Sequence, residues 1–157
     1  MGSEMSGRVE AIYIAPEGGA AMVTVTAASL IADCGIEGDR NYEPAGVAPG
    51  SQVTLIEAEA VDRFNASTGL GISPGAPRRN IVTRGVSLNS LVGKEFWVGP
   101  TTLQGIELCE PCATLGKRIA KGAVDSARVI RTFAHQAGLR ARVVAGGTVT
   151  PGDPIRI

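Results

Sequence analysis

Histidine occurs once in these 157 residues, cysteine three times, and aromatic side chains make up only 4%. A lone histidine excludes any site built on paired imidazoles. Three cysteines are too few for a disulfide scaffold, and in a reducing compartment such residues are buried, metal-binding or catalytic. Charge of either sign is also missing in excess: 15 lysines and arginines balance 15 aspartates and glutamates. A neutral chain has no long-range field to gather nucleic acid or an anionic membrane, so any anion recognition must be local. No stretch approaches the roughly 20 apolar residues that cross a bilayer. The opening residues "MGSEMSGRVE" hold no apolar run of the signal-peptide kind, which leads to the expectation of a cytoplasmic protein.

What is abundant is glycine (21) and proline (9), spaced every ten residues or so. That is the punctuation of many short strands, and the expected fold is mainly β. The length and the 44% hydrophobic content suit one domain over residues 8–157, with residues 1–7 loose. "RVEAIYIA" and "AAMVTVTAASLIAD" read as a hairpin turning at "PEGG". "SQVTLIEAEAVDRFNASTG" reads as a strand feeding a helix that Gly69 ends. "RRNIVTRG", "KEFWVG" and "TTLQGIEL" read as strands of a meander, and "SLNSLVG" as a short turn or helix. "ATLGKRIAKG" predicts a helix of about two turns. "VDSARVIRTFAHQAG" predicts another, with Val129, Ile130, Phe133 and Ala134 on one face and Gly138 as its stop. "LRARVVAGGTVTPGDPIRI" returns to strand through a Pro-Gly-Asp turn.

Within "IELCEPCATLGKR", Cys109 and Cys112 stand three positions apart. A structural zinc needs about four ligands, and only Cys34, Cys109, Cys112 and His135 are on offer. A thioredoxin-type dithiol belongs at the start of a helix in a βαβ unit, and the surroundings here read as strands in series. The third reading is one activated thiolate at Cys112, which follows Pro111 and precedes a helix whose free N–H groups favour the anion. Lys117 and Arg118 would add positive charge if they fold back, and Glu110 would oppose it. The bland reading makes both cysteines small core residues.

Arg78, Arg79 and Arg84 gather around Asn80 in "GAPRRNIVTRG". Guanidinium forks suit phosphate or carboxylate, and an asparagine amide suits the edge of a heterocycle. On a strand, Arg79 would point away from Arg78 and Asn80. The alternative is a strand edge blunted by charge. In "CGIEGDRNYEP", Asp39 and Arg40 either pair with one another or line a site.

Taken together, "GIEGDRN", "QVTLIEAEAV", "RRNIVTRGVSLNSLVGKEFWVG", "LCEPC" and "AGGTVTPGDPI" resemble the MOSC family, named after the C-terminal domain of molybdenum cofactor sulfurases. The resemblance implies a MOSC-like β-barrel with a few short helices. It also implies a cysteine, here Cys112, that carries sulfur as a persulfide or ligates molybdenum in the pterin cofactor, serving sulfur transfer or reduction of N-hydroxylated substrates. Arg79 and Asn80 match the family's polar pair; Arg79, with Arg78 or Arg84, is expected to hold the cofactor's phosphate and Asn80 an edge of the pterin, and Asp39 and Arg40 are further candidates for cofactor binding. A cysteine desulfurase or an electron-donor protein is the partner implied, and a non-catalytic cofactor carrier or small-anion-binding barrel is the alternative. Many relatives have histidine after the Gly-Asp-Arg turn, where this chain has Asn41. The aminotransferase-like domain of the full sulfurases has no counterpart here, so no pyridoxal phosphate site is expected.

Overall fold

The strands anticipated from the sequence close on themselves. A computed structural model describes residues 5–157. In chain order its strands are β1 (Met5–Ile14), β2 (Val23–Val25), β3 (Ala28–Ile31), β4 (Gly35–Ile36), β5 (Val53–Glu57), β6 (Ile81–Arg84), β7 (Glu95–Val98), β8 (Thr101–Leu108), β9 (Leu139–Ala145), β10 (Gly147–Val149) and β11 (Pro154–Arg156). The helices are α1 (Ala58–Thr68), α2 (Ala113–Ile119) and α3 (Ser126–Phe133). Hydrogen bonding follows the order β11-β7-β8-β9-β5-β6-β1, and β11 pairs again with β1, which closes a seven-stranded barrel. A small sheet, β10-β3-β4, lies beside it.

Alternation explains the interior. Leu103 on β8, Leu139 and Val143 on β9, and Phe96 and Val98 on β7 are fully buried among barrel-core residues, while their sequence neighbours face outward. β5 and β6 differ because both of their faces are covered. Leu55 and Ile81 enter the barrel core, whereas Ile56 and Val82 join a second apolar cluster beneath the helices. These two strands run parallel, with Leu55 opposite Ile81, and α1 makes the crossover between them. The expected meander therefore holds for β7 and β8 but not for β6, which sits between β5 and β1.

Other expectations shift in detail. The hairpin forms, with Ile12 opposite Val25, but its second arm breaks after β2 and continues as β3 in the small sheet. Residues 5–7, expected to be loose, already belong to β1, where Gly7 pairs with Ile155; residues 1–4 lie outside the described segment. α1 ends as expected at Gly69, whose φ of 72° and N–H to the Asn65 carbonyl close the last turn. α3 stops at Phe133, five residues before Gly138, because Ala134 is extended and His135 takes a left-handed φ of 62°.

Candidate functional site

Three loops that leave the same part of the barrel build a cleft of about 190 Å³. The turn after β4 supplies Arg40, the segment before β6 supplies Pro77, Arg78 and Arg79, and the stretch from the end of β8 into α2 supplies Cys112, Thr114, Leu115 and Arg118. Residues 78–80 precede β6 rather than lying in it, and Arg78 has a left-handed φ of 65°. Strand alternation does not apply there, so Arg78 and Arg79 both face the cleft. Within α2, Thr114 and Arg118 stand four apart and so share one helix face, whereas Lys117 is not among the cleft residues. That helical spacing was the available signal for choosing Arg118 over Lys117.

Cys112 is exposed and occupies the N-cap of α2 with extended backbone. The N–H of Leu115 pulls its thiol pKa below the ordinary value; slight burial opposes this, and the N–H of Thr114 and the charge of Arg79 add to the lowering. Cys109 is its opposite. It is buried in the outer apolar cluster, its N–H is bound by the Gly138 carbonyl at 2.8 Å, and desolvation pushes its thiol pKa up despite Arg79 nearby. Glu110 is turned toward His135. Its two carboxylate oxygens accept from the backbone N–H and contact the ring Nδ1 of His135, at 3.0 and 2.9 Å.

The arginines are held by protein acceptors at their inner ends. Arg79 donates from Nε to the Ala137 carbonyl at 2.8 Å and from Nη1 to the Pro77 carbonyl at 3.2 Å. Arg78 donates to the Ala20 carbonyl at 2.6 Å. Arg40 donates to the buried carboxylate of Asp39 at 3.1 Å and to the Arg78 carbonyl at 3.3 Å. Arg118 makes no hydrogen bond or ion pair with the described residues. Burial, followed by the like charges of Arg40 and Arg118, presses the Arg78 pKa down, and burial does the same for Arg79. No carboxylate lines this cleft. Four guanidiniums crowded beside a thiol constitute a site for an anion.

The remaining expected residues lie elsewhere or play internal parts. Asn80 is 1% exposed, and its amide is spent within the fold, accepting from the Thr54 N–H at 3.1 Å and donating to the Tyr13 carbonyl at 3.1 Å. It locks the cleft loop onto β5 and β1 and presents no edge to a ligand. Arg84, at the far end of β6, is forked between Glu10 at 2.6 Å and Asp62 at 3.1 Å and does not line the cleft. Asp39 also holds the Ala15 N–H at 3.0 Å, so it acts beneath Arg40 rather than in the cleft. Asn41 is exposed and gives its N–H to Asp39. Cys34 is half-buried, with its thiol directed to the Pro44 carbonyl. Among the described residues no three His, Cys, Asp or Glu side chains gather to hold a metal ion.

Two further hollows are found among the described residues. One of about 390 Å³ shares Arg78 and Arg118 with the cleft and extends it past Tyr13, Met22 and Ile72. The other, about 250 Å³, lies between Glu57, Arg63, Asn89 and His135, but its polar groups satisfy one another: Arg63 with Gln136 at 2.8 Å, Glu57 with the Leu88 N–H at 3.1 Å, and Asn89 with the His135 carbonyl at 2.8 Å. Only the first continues the thiol site.

Solved structures share this architecture. The YuaD protein from Bacillus subtilis aligns with a TM-score of 0.83 at 20% identity, covering 95% of this chain and 93% of that one. YiiM from Geobacillus stearothermophilus aligns with a TM-score of 0.72 at 15% identity, over 96% of this chain and 74% of the other. YiiM from Escherichia coli gives 0.66 at 19% identity, over 95% and 68%. No curated protein matches the sequence. No helix among the described residues is long and apolar enough to cross a membrane. The family model of the MOSC domain matches residues 43–156, which takes in every cleft residue except Arg40, and the chain belongs to the MOSC family.

Proposed function

We propose that this MOSC protein binds the molybdenum pterin cofactor in the arginine-lined cleft and that Cys112 is its working thiolate, carrying sulfur as a persulfide to the metal. The observation that carries this reading is the single exposed thiol, with its pKa lowered, among Arg40, Arg78, Arg79 and Arg118. The residues present fit the group: a soft thiolate suits molybdenum or a sulfane sulfur, and guanidinium forks suit the cofactor's phosphate. Bound there, the cofactor supplies a metal centre able to accept sulfur or to exchange electrons with an N-hydroxylated substrate.

The chain's own residues divide the work. Arg78, Arg79 and Arg118 hold the anionic part, and Asp39 keeps Arg40 aimed into the cleft. The N–H groups of Leu115 and Thr114 favour the thiolate form of Cys112. Burial keeps Cys109 protonated and out of the chemistry. A cysteine desulfurase or an electron-donor protein would be the partner.

Ligation of the metal by Cys112 is the second reading, favoured by the fact that the same thiol is the soft donor in a cleft without other metal-binding side chains. One experiment tests both. Purified cofactor is offered to the wild type and to Cys112→Ser, and bound molybdenum and pterin are measured together. Binding of both by each protein, with sulfur transfer lost in the variant, fits the carrier. Loss of metal but not pterin in the variant fits ligation. Absence of binding by the wild type refutes cofactor recognition.

A further inference from the structure

A thiol that carries sulfur must first receive it, and the walls of the cleft indicate from what. A persulfide handed over by another protein arrives on a peptide loop and brings no charge that would require four arginines. A small anionic donor would make use of them before the cofactor's phosphate does. A thiolate and a dianion repel each other, and attack becomes feasible only where fixed positive charge offsets that repulsion and stabilises the anion that leaves. The cleft of about 190 Å³ has room for a small anion, and it carries Arg40, Arg78, Arg79 and Arg118 with no lining carboxylate. Arg118 in particular has all its donors unused among the described residues, in a protein that is neutral overall.

We propose that Cys112 takes its sulfur directly from a small dianion bearing a sulfane sulfur, of which thiosulfate is the simplest, and that Arg40, Arg78, Arg79 and Arg118 bind this donor and its sulfite leaving group. The step balances without any further reagent. The Cys112 thiolate attacks the outer sulfur of thiosulfate, a bond forms between Cys112 Sγ and that sulfur, and the sulfur–sulfur bond of the donor breaks. Its electron pair departs with sulfite, and Cys112 is left as a persulfide anion. The nucleophile is the thiolate, so the thiol proton has already passed to solvent and none moves in the transfer itself. Donor and cofactor phosphate use the same guanidiniums in turn, so loading precedes cofactor docking. The inference rests on the reading of Cys112 as a sulfur carrier and adds the donor's chemical class to it.

The test is incubation of the whole chain with thiosulfate, followed by intact-protein and peptide mass measurement, and by addition of cyanide as a sulfur acceptor. The wild type is expected to gain one sulfur atom at Cys112 and to release thiocyanate; Cys112→Ser is expected to do neither. Arg118→Ala removes an exposed side chain with no protein partner among the described residues, so the fold is kept. Its kcat/KM for thiosulfate should fall about tenfold, chiefly through KM, with partial recovery in Arg118→Lys. In parallel, a cysteine desulfurase with cysteine is offered as donor. Loading by the desulfurase but not by thiosulfate overturns the donor inference and leaves the carrier reading standing. Loading by neither overturns both. Sulfur found on Cys34 or Cys109, or an Arg118→Ala variant as fast as the wild type, also overturns the inference.

Discussion

Two cysteines three positions apart meet opposite environments, and their chemistry should separate accordingly. The thiolate is the species that alkylates. With its pKa lowered by the Leu115 N–H, Cys112 should keep its iodoacetamide reactivity further down the pH scale than a free cysteine peptide does. Cys109, with its pKa raised by desolvation, should stay unmodified until the protein unfolds. Peptide mapping after alkylation across neutral to alkaline pH checks both, and equal labelling of the two would contradict the assignment. The sign for stability follows: a group with a depressed folded-state pKa contributes stability above its unfolded value and loses it as pH falls through the folded value. For an exposed thiol that contribution is small. Asn80 makes the contrast with a residue whose importance is structural. Its carbonyl oxygen serves both the N–H and the hydroxyl of Thr54, and its amide serves Tyr13. Asn80→Ala should cost about 2 kcal/mol in urea unfolding, by stranding these groups in a buried position.

The stretch that carries Cys109 and Cys112 is tied to its neighbour by a backbone contact that tolerates no side chain. Gly138 opens β9 at a φ of 120°; a Cβ placed there would run into the Leu55 carbonyl oxygen, while its own carbonyl holds the N–H of Cys109. Gly138→Ala should therefore cost at least about 2 kcal/mol and also change the alkylation rate of Cys112, because the Cys109–Cys112 stretch hangs from that bond. Urea melts and alkylation kinetics on one sample would show the two effects together. The same elements show what the sequence could reveal. Helix α2 was legible from its leucine and isoleucine spacing, and with it Cys112 as an N-cap, since both are local properties. The parallel pairing of β5 and β6 was not, because strand partners separated by a crossover leave no mark in local periodicity. Nor was the joint presentation of Arg78 and Arg79, which depends on a left-handed residue that only the packed loop imposes. The sequence suggests Asn80 as a ligand contact for a related reason: a buried amide and a binding amide look alike until their partners are known.

Across the molecule, stability and function rest on two different apolar clusters. One fills the barrel through residues such as Leu55, Phe96 and Leu103. The other lies between the outside of β5 and β6 and the three helices, and it includes Cys109, Leu115 and Ile119, the residues that seat the thiol loop and α2. Phe64 of α1 and Phe133 of α3 stack within this outer cluster with ring centroids 4.5 Å apart. A hole made there should loosen the site before it opens the barrel. Phe133→Ala should cost about 3–5 kcal/mol, and amides of α2 and α3 should exchange hydrogen faster while those of β8 and β9 remain protected. The alkylation profile of Cys112 should move toward that of a free thiol, since the N–H groups of Thr114 and Leu115 lose their fixed aim. Phe96→Ala, an equally buried phenylalanine of the inner cluster, is the control: it should lower global stability by a comparable amount but leave the alkylation profile in the folded state unchanged. If both variants shifted the profile alike, the two clusters would be one cooperative unit, and the cleft would depend on the barrel as a whole rather than on the layer of helices laid against it.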